Sequence, residues 1–271
     1  MKSLDHKKVI IIGGTGGLGY AYANGFLNDG ANVLITGRNK EKLKSCVLKS
    51  KECMKYAVLD TLSEESIDNF ICEIEKRQEK IDIVVNATGY DVRKPLKLHT
   101  NQEINTSIET NLTAAIILVK ALLPFMSKEK GAAIVNTGAF GCKVIASPYQ
   151  CADVASRAGL YSFTESINRE LKQEESNVRI IYFSPNCVDT EAEQPFLQLA
   201  RNMKIKVDTK EEVYTALKKT ILSGKSYKAM GFGTTAFGIL NAISPKFANI
   251  LLMNQYGKVL QSYLSDGTVS K

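Results

Sequence analysis

The feature that most constrains this chain lies near its start. Four consecutive apolar residues, Val9-Ile-Ile-Ile12, run directly into Gly13-Gly-Thr-Gly-Gly17-Leu-Gly19, after which Leu18, Tyr22 and Phe26 recur at helical spacing. An apolar run with no polar alternation has no solvent face. As a strand it must be covered on both sides, which is the situation in a parallel sheet sandwiched by helices. The same grammar repeats. Further strands are predicted at Val33–Thr36, Tyr56–Leu59, Ile81–Asn86, Ala133–Thr137 and Val178–Phe183. Helices are predicted over Leu18–Asn28, over Lys40–Lys51, and from the capping pattern Thr61-Leu-Ser-Glu64 to about Glu79. Two more follow over Ile104–Ser127, with Pro124 bending or ending it, and over Ser156–Gln173. Strict β-α alternation predicts an α/β fold: a doubly wound parallel sheet with helices on both faces and a helical C-terminal tail. No linker, repeat or low-complexity segment interrupts it. The expectation is one domain over residues 1–271, with 190–271 supplying a substrate-region loop, a lid and the tail.

Composition narrows the function classes. At 271 residues with 44% hydrophobic and 23% charged content, the chain can bury a full core. Its net charge of +7 includes a lysine-dense stretch from Lys40 to Lys55. Acids interleave there without stacking aromatics, so it reads as a solvated helix face and not a nucleic-acid site. Met1 to Lys8 is polar, which does not read as a signal peptide, and no stretch of roughly 18 apolar residues suggests a membrane span. The six cysteines lack Cys-x-x-Cys spacing and read as reduced thiols of a cytoplasmic protein. Two distant histidines, His6 and His99, leave little material for a metal site or a Ser-His-Asp triad, so no metal is expected.

Glycines between a first strand and a first helix let the backbone approach a pyrophosphate, which the helix N-terminus attracts. The spacing Gly13-x-x-x-Gly17-x-Gly19 differs from G-x-G-x-x-G and resembles that of the short-chain dehydrogenase/reductase family. Other ordered matches run from about residue 7 to 195. Thr36-Gly-Arg38-Asn39 follows the second strand, where members that prefer NAD carry an acid. Here Arg38 offers a fork for a 2′-phosphate, which favours NADP(H) over NAD(H). Asp60 stands where the family places an Asp near the adenine. Asn86-Ala-Thr-Gly89 resembles Asn-Asn-Ala-Gly. Ser184-Pro185-Asn-Cys-Val188-Asp-Thr190 resembles the segment lining the nicotinamide, with Asn186 in place of Gly. The resemblance implies a Rossmann fold and a cofactor site of Gly13, Thr15, Gly16, Gly17, Leu18, Gly19, Arg38, Asp60, Asn86, Ala87, Gly89, Arg157, Pro185, Val188 and Thr190. It also implies a homodimer or homotetramer.

The family's catalytic set is Asn, Ser, Tyr and Lys. Asn111 matches the Asn, which there holds a water linked to the Lys. The Ser position falls on Ala139 or, shifted by one, Gly138; the Tyr and Lys positions hold Asp153 and Arg157. An Asp starts near a pKa of about 3.9, so it is normally an anion that cannot donate a proton. Arg157, four residues on, favours that anion and burial opposes it. Arg157 can still bind the nicotinamide ribose but does not deprotonate as Lys can. Three readings stay open. Hydride transfer to a carbonyl or alcohol substrate persists with a proton from elsewhere, Tyr149 being the nearest phenol, with Tyr90 and Tyr161 as others. Alternatively Asp153 is the base of a redox-neutral dehydration, isomerisation or condensation. The third is a non-catalytic cofactor or partner binder, in which Asp153 and Arg157 form an ordinary i,i+4 ion pair. Cys142, Cys151 and Cys187 map to loops around the cleft and read as apolar packing more readily than as nucleophiles.

Beyond Thr190 the pattern fades. Glu191–Met203 is expected to be a mobile segment over the substrate. Pro245–Tyr256 is predicted as an apolar helix with Ser244 as cap. It reads as a subunit contact or core cover, with a lid over an acyl or polyketide-like small molecule, or a membrane-surface foot, as the other readings.

Overall fold

Each apolar run becomes a strand, and the residues between runs supply the helices. In the computed structural model, residues 3–50, 53–78, 80–128, 131–138 and 147–265 are described. The first half reads β1 (Lys8–Ile12), α1 (Gly17–Asn28), β2 (Asn32–Gly37), α2 (Lys40–Lys49), β3 (Lys55–Val58), α3 (Glu64–Arg77) and β4 (Ile83–Asn86). There follow α4 (Asn101–Ile108), α5 (Ala114–Leu122), β5 (Ala133–Thr137), α6 (Cys151–Gln173) and β6 (Arg179–Ser184). The last part holds β7 (Cys187–Val188), α7 (Gln194–Asn202), β8 (Val207–Asp208), α8 (Lys210–Leu222), β9 (Tyr227–Ala229), α9 (Phe232–Ile243) and α10 (Pro245–Ser265).

The main sheet is seven-stranded and parallel, in the order β3-β2-β1-β4-β5-β6-β9; β7 and β8 pair separately. Alternate residues of each strand serve opposite faces. Ile11, Ile35 and Val85 pack with Tyr22 and Phe26 of α1 and with Val213 and Leu217 of α8. Ile10, Ile12 and Val84 pack with Ile67 and Phe70 of α3 and with Leu118 and Leu122 of α5. This is the doubly wound Rossmann arrangement. Strand order reverses between β1 and β4, which opens a crevice at their carboxyl ends where ligands bind in such sheets.

Several local expectations are corrected. The cap of α3 is Ser63, whose side chain accepts from the Ser66 N–H, because the chain still turns through Thr61 and Leu62. The helix predicted over Ile104–Ser127 starts at Asn101, capped reciprocally by Thr100 and Glu103. It runs through a π-helical turn at Glu109–Thr113 and tightens to 3₁₀ geometry at Leu123–Phe125, where Pro124 ends it. By length and composition Asn101–Phe125 is apolar enough to cross a bilayer. Here its Ala114, Ala115, Leu118, Val119 and Leu122 are buried in the fold. Helix α6 begins at Cys151 and not Ser156, so Asp153 and Arg157 sit in its first two turns. The strand β9 and helix α8, absent from the sequence reading, extend the sheet and cover one face. Glu191–Met203, expected as a segment over the substrate, folds as a 3₁₀ turn and the amphipathic α7, with Leu197 and Ala200 buried.

Candidate active site

The glycine loop is held open by its own packing. Gly13 has φ +78°, a left-handed conformation that side chains resist. A Cβ on Gly19 would collide with the Gly13 carbonyl oxygen, and one on Gly14 would lie 2.6 Å from the Ile35 Cβ. On Gly17 it would meet the Thr190 Cβ at 3.0 Å, so the segment after β6 lies over the loop. Gly16, the N-cap of α1, differs: its Cβ would approach only the Gly13 oxygen, at 3.4 Å, and otherwise enter open space. That space is a cleft of about 400 Å³. It gathers Gly13, Thr15, Gly16, Arg38, Asp60, Ala87 and Gly89 from four separate loops.

Arg38 is exposed at the rim and makes no ion pair among the described residues; its neighbour Asn39 is consumed in capping α2, accepting from the Lys42 N–H at 2.9 Å. Asp60 steadies its turn by accepting from the Leu62 N–H at 3.1 Å. Among the other lining residues are Thr61, Leu62, Thr88, Tyr90, Thr106 and Thr110. The last two were missed by the sequence reading, although their i,i+4 spacing puts them on one helix face. A glycine-floored crevice at a helix N-terminus fits the pyrophosphate of a nicotinamide dinucleotide.

The other anticipated cofactor residues lie behind this wall. Asn86 is buried. Its amide donates to Asn136 Oδ1 at 3.4 Å and accepts from Thr88 Oγ1 at 2.7 Å, so its side chain braces β4 and does not line the cleft. Leu18 and Val188 pack into the core, and Pro185 is buried. Asn186 donates to Asp208 Oδ2 at 2.8 Å, while Lys206 reaches the other oxygen at 2.6 Å. The residue standing for the family glycine thus fastens β7 to β8.

The residues at the positions matched to the family's catalytic set, Asn111, Asp153 and Arg157, come together, but facing inward. Asn111, in the π-turn, is 1% exposed. Its amide clamps the Tyr90 backbone, donating to the carbonyl at 2.8 Å and accepting from the N–H at 2.9 Å, and donates to Asp153 Oδ1 at 2.9 Å. Both amide protons are therefore committed to protein acceptors. Asp153, 2% exposed, also accepts from Arg157 Nε at 3.3 Å. Arg157, 7% exposed, donates from Nη1 to the Thr137 carbonyl at 2.7 Å. A Cβ on Gly89 would lie 2.5 Å from Arg157 Nη2, so glycine there makes room for the guanidinium. Burial pushes the Asp153 carboxyl above its ordinary range; Arg157 pulls it down and Asp91 pushes it further up. Burial, not the arginine, sets the direction. Nor is the pair a solvated helix contact: it is enclosed between α6, the π-turn and the end of β5.

Of the two positions considered for the serine, Ala139 lies outside the described residues. At Gly138 a Cβ would strike the Tyr182 ring at 2.5 Å, so packing excludes a side chain. Tyr149 has φ +69°, and its carbonyl accepts from the Lys94 N–H at 2.9 Å; its link to this region is through backbone. Cys187 is buried and its thiol is pushed up to about 11, chiefly by burial, which removes it as a nucleophile at neutral pH. Cys151 is exposed and Cys142 lies outside the described residues. Sequence reading also missed Arg93. It pairs with Asp91, reaches Glu193 Oε1 at 2.8 Å and lies 4.2 Å over the Phe196 ring. It straps the loop after β4 to the segment opening α7.

Residues 7–199 match the family model for short chain dehydrogenases. An uncharacterised oxidoreductase of Staphylococcus aureus (strain MW2) is 27% identical over 192 residues, covering 70% of this chain and 81% of that protein. A 3-oxoacyl-(acyl-carrier-protein) reductase of Chlamydia muridarum is 27% identical over 223 residues, covering 79% and 89%. A short chain dehydrogenase from Burkholderia cenocepacia J2315, solved in complex with NADP, superposes with a TM-score of 0.73 at 21% identity, covering 84% and 97%. A dehydrogenase/reductase from Sinorhizobium meliloti 1021 does so with 0.74 at 20%, covering 84% and 94%. With more than two thirds of its length matched by the family model and the fold shared, the chain belongs to the short-chain dehydrogenase family.

Proposed function

We propose that the chain binds NADP(H) in the β1/β4 crevice and transfers hydride between it and a carbonyl or alcohol substrate, with the proton exchanged by water or a loop group. Asp153 is not the proton carrier. The observation that carries the cofactor reading is the uncommitted Arg38 at the rim of the glycine-floored cleft. When bound, the nicotinamide supplies or accepts the hydride. The chain's part is to hold and orient. The N–H groups at the start of α1 meet the pyrophosphate, and Arg38 pairs with the 2′-phosphate. Asp60 and Leu62 border the adenine side. Arg157 keeps its Nη2 edge beside Gly89, where it would meet the cofactor.

Asp153 accepts from two buried donors at 2% exposure, which speaks against its serving as a base on a substrate. The same burial favours a second reading, cofactor binding without turnover. Fluorescence titration with NADPH tests the first claim: saturable binding is expected, and none would sink it. Following NADPH absorbance over a panel of ketones and 3-oxoacyl thioesters separates the two readings. Consumption matched by alcohol product supports hydride transfer. Binding without consumption across the panel leaves the binder.

A further inference from the structure

The C-terminal helices α9 and α10 carry apolar side chains on their outer faces as well as on their covered ones. On α9, Ala236, Ile239, Ala242 and Ile243 face outward, while Gly238 is buried and Asn241 is partly covered. Ile243 is 79% exposed. On α10 the covered side is Ala248, Leu252 and Tyr256, and Phe247, Ile250 and Leu251 form the outward stripe. Covering the core does not use all of its apolar side chains, since Phe247 is 51% exposed. A helix whose outer face meets only water carries polar residues there. Six large apolar side chains exposed within residues 239–253 form the kind of patch that marks an interaction site.

Charge selects the occupant. The hairpin, residues 232–265, carries two lysines, Lys246 and Lys258, and no Asp or Glu. Lys258 lies seven residues beyond Leu251 and eleven beyond Phe247, on the same stripe, and Lys246 lies in the first turn of α10; both are exposed. A second copy docking on this face would bring lysines together with no acid to answer them. An anionic lipid headgroup layer supplies that charge, and the acyl boundary takes the apolar stripe. We infer that the α9–α10 hairpin is a membrane-surface foot that seats on an anionic bilayer without crossing it.

Sedimentation of the full chain with vesicles tests this. The protein should pellet with phosphatidylcholine vesicles rich in phosphatidylglycerol, far less with pure phosphatidylcholine, and less as salt rises. Ile243→Asp combined with Phe247→Asp should release it with an unchanged melting temperature. Lys258→Ala alone should weaken vesicle affinity about fivefold. Failure to pellet with anionic vesicles overturns the inference, as does undiminished pelleting of the double variant. If vesicles are ignored and the double variant converts a dimer to a monomer, the face belongs to a second copy.

Discussion

The two ends of the crevice treat their polar groups in opposite ways. On the nucleotide side, Arg38 stands in solvent without a partner among the described residues and Gly16 faces open space. On the catalytic side, Asn111, Asp153 and Arg157 spend their hydrogen bonds on one another and on the backbone of Tyr90 and Thr137. An exposed group without an internal partner is solvated by water and free to exchange that water for a ligand. Groups closed on each other contribute to the fold instead.

The largest effect that would test this contrast is on the closed side. Asp153→Ala leaves the Arg157 guanidinium buried and unanswered, and should destabilise the protein by about 3 kcal/mol or more in urea unfolding. A change below about 1 kcal/mol would show the pair to be more open than its burial indicates. On the open side, Arg38→Ala should leave stability unchanged and weaken NADPH binding about 10- to 100-fold in titration, with NADH little affected. Equal losses for both cofactors would remove the 2′-phosphate role.

A smaller contrast separates the glycines and the missing serine. Gly138→Ser restores a hydroxyl after β5 but drives it into Tyr182, and should cost roughly 1–3 kcal/mol without raising NADPH consumption. Gly16→Ala, facing open space, should keep the wild-type melt while weakening NADPH. The smallest effect is in pH dependence. Because the folded Asp153 carboxyl is pushed above its ordinary value of 3.8, stability tied to its protonated form is lost as pH rises. Wild type should therefore lose stability relative to Asp153→Asn as pH climbs from near 3.8 through the raised value, read by parallel thermal melts. A gain for wild type over that window would mean that Arg157 outweighs burial.

Much of this was legible in the sequence. The β-α order, the glycine loop, Arg38 and the altered Asp153 and Arg157 positions all follow from residues close in the chain, where period and spacing speak directly. Less legible were the Asn111 clamp on Tyr90, the strap from Arg93 to Glu193 and the clash that reserves Gly138 for Tyr182. Each joins residues 20 to 100 positions apart. The π-turn at Glu109–Thr113 was also unreadable, because an apolar helical pattern does not record one inserted residue.

The sequence by itself determined the sheet, its helical cover and the nucleotide crevice, because periodic burial and glycine placement constrain the backbone locally. Only the tertiary structure decided the direction in which polar side chains face. Asp153 could have pointed to substrate or to Asn111, and Phe247 to the core or to solvent. Those outcomes depend on what distant elements place beside them, and packing, not spacing, makes that choice.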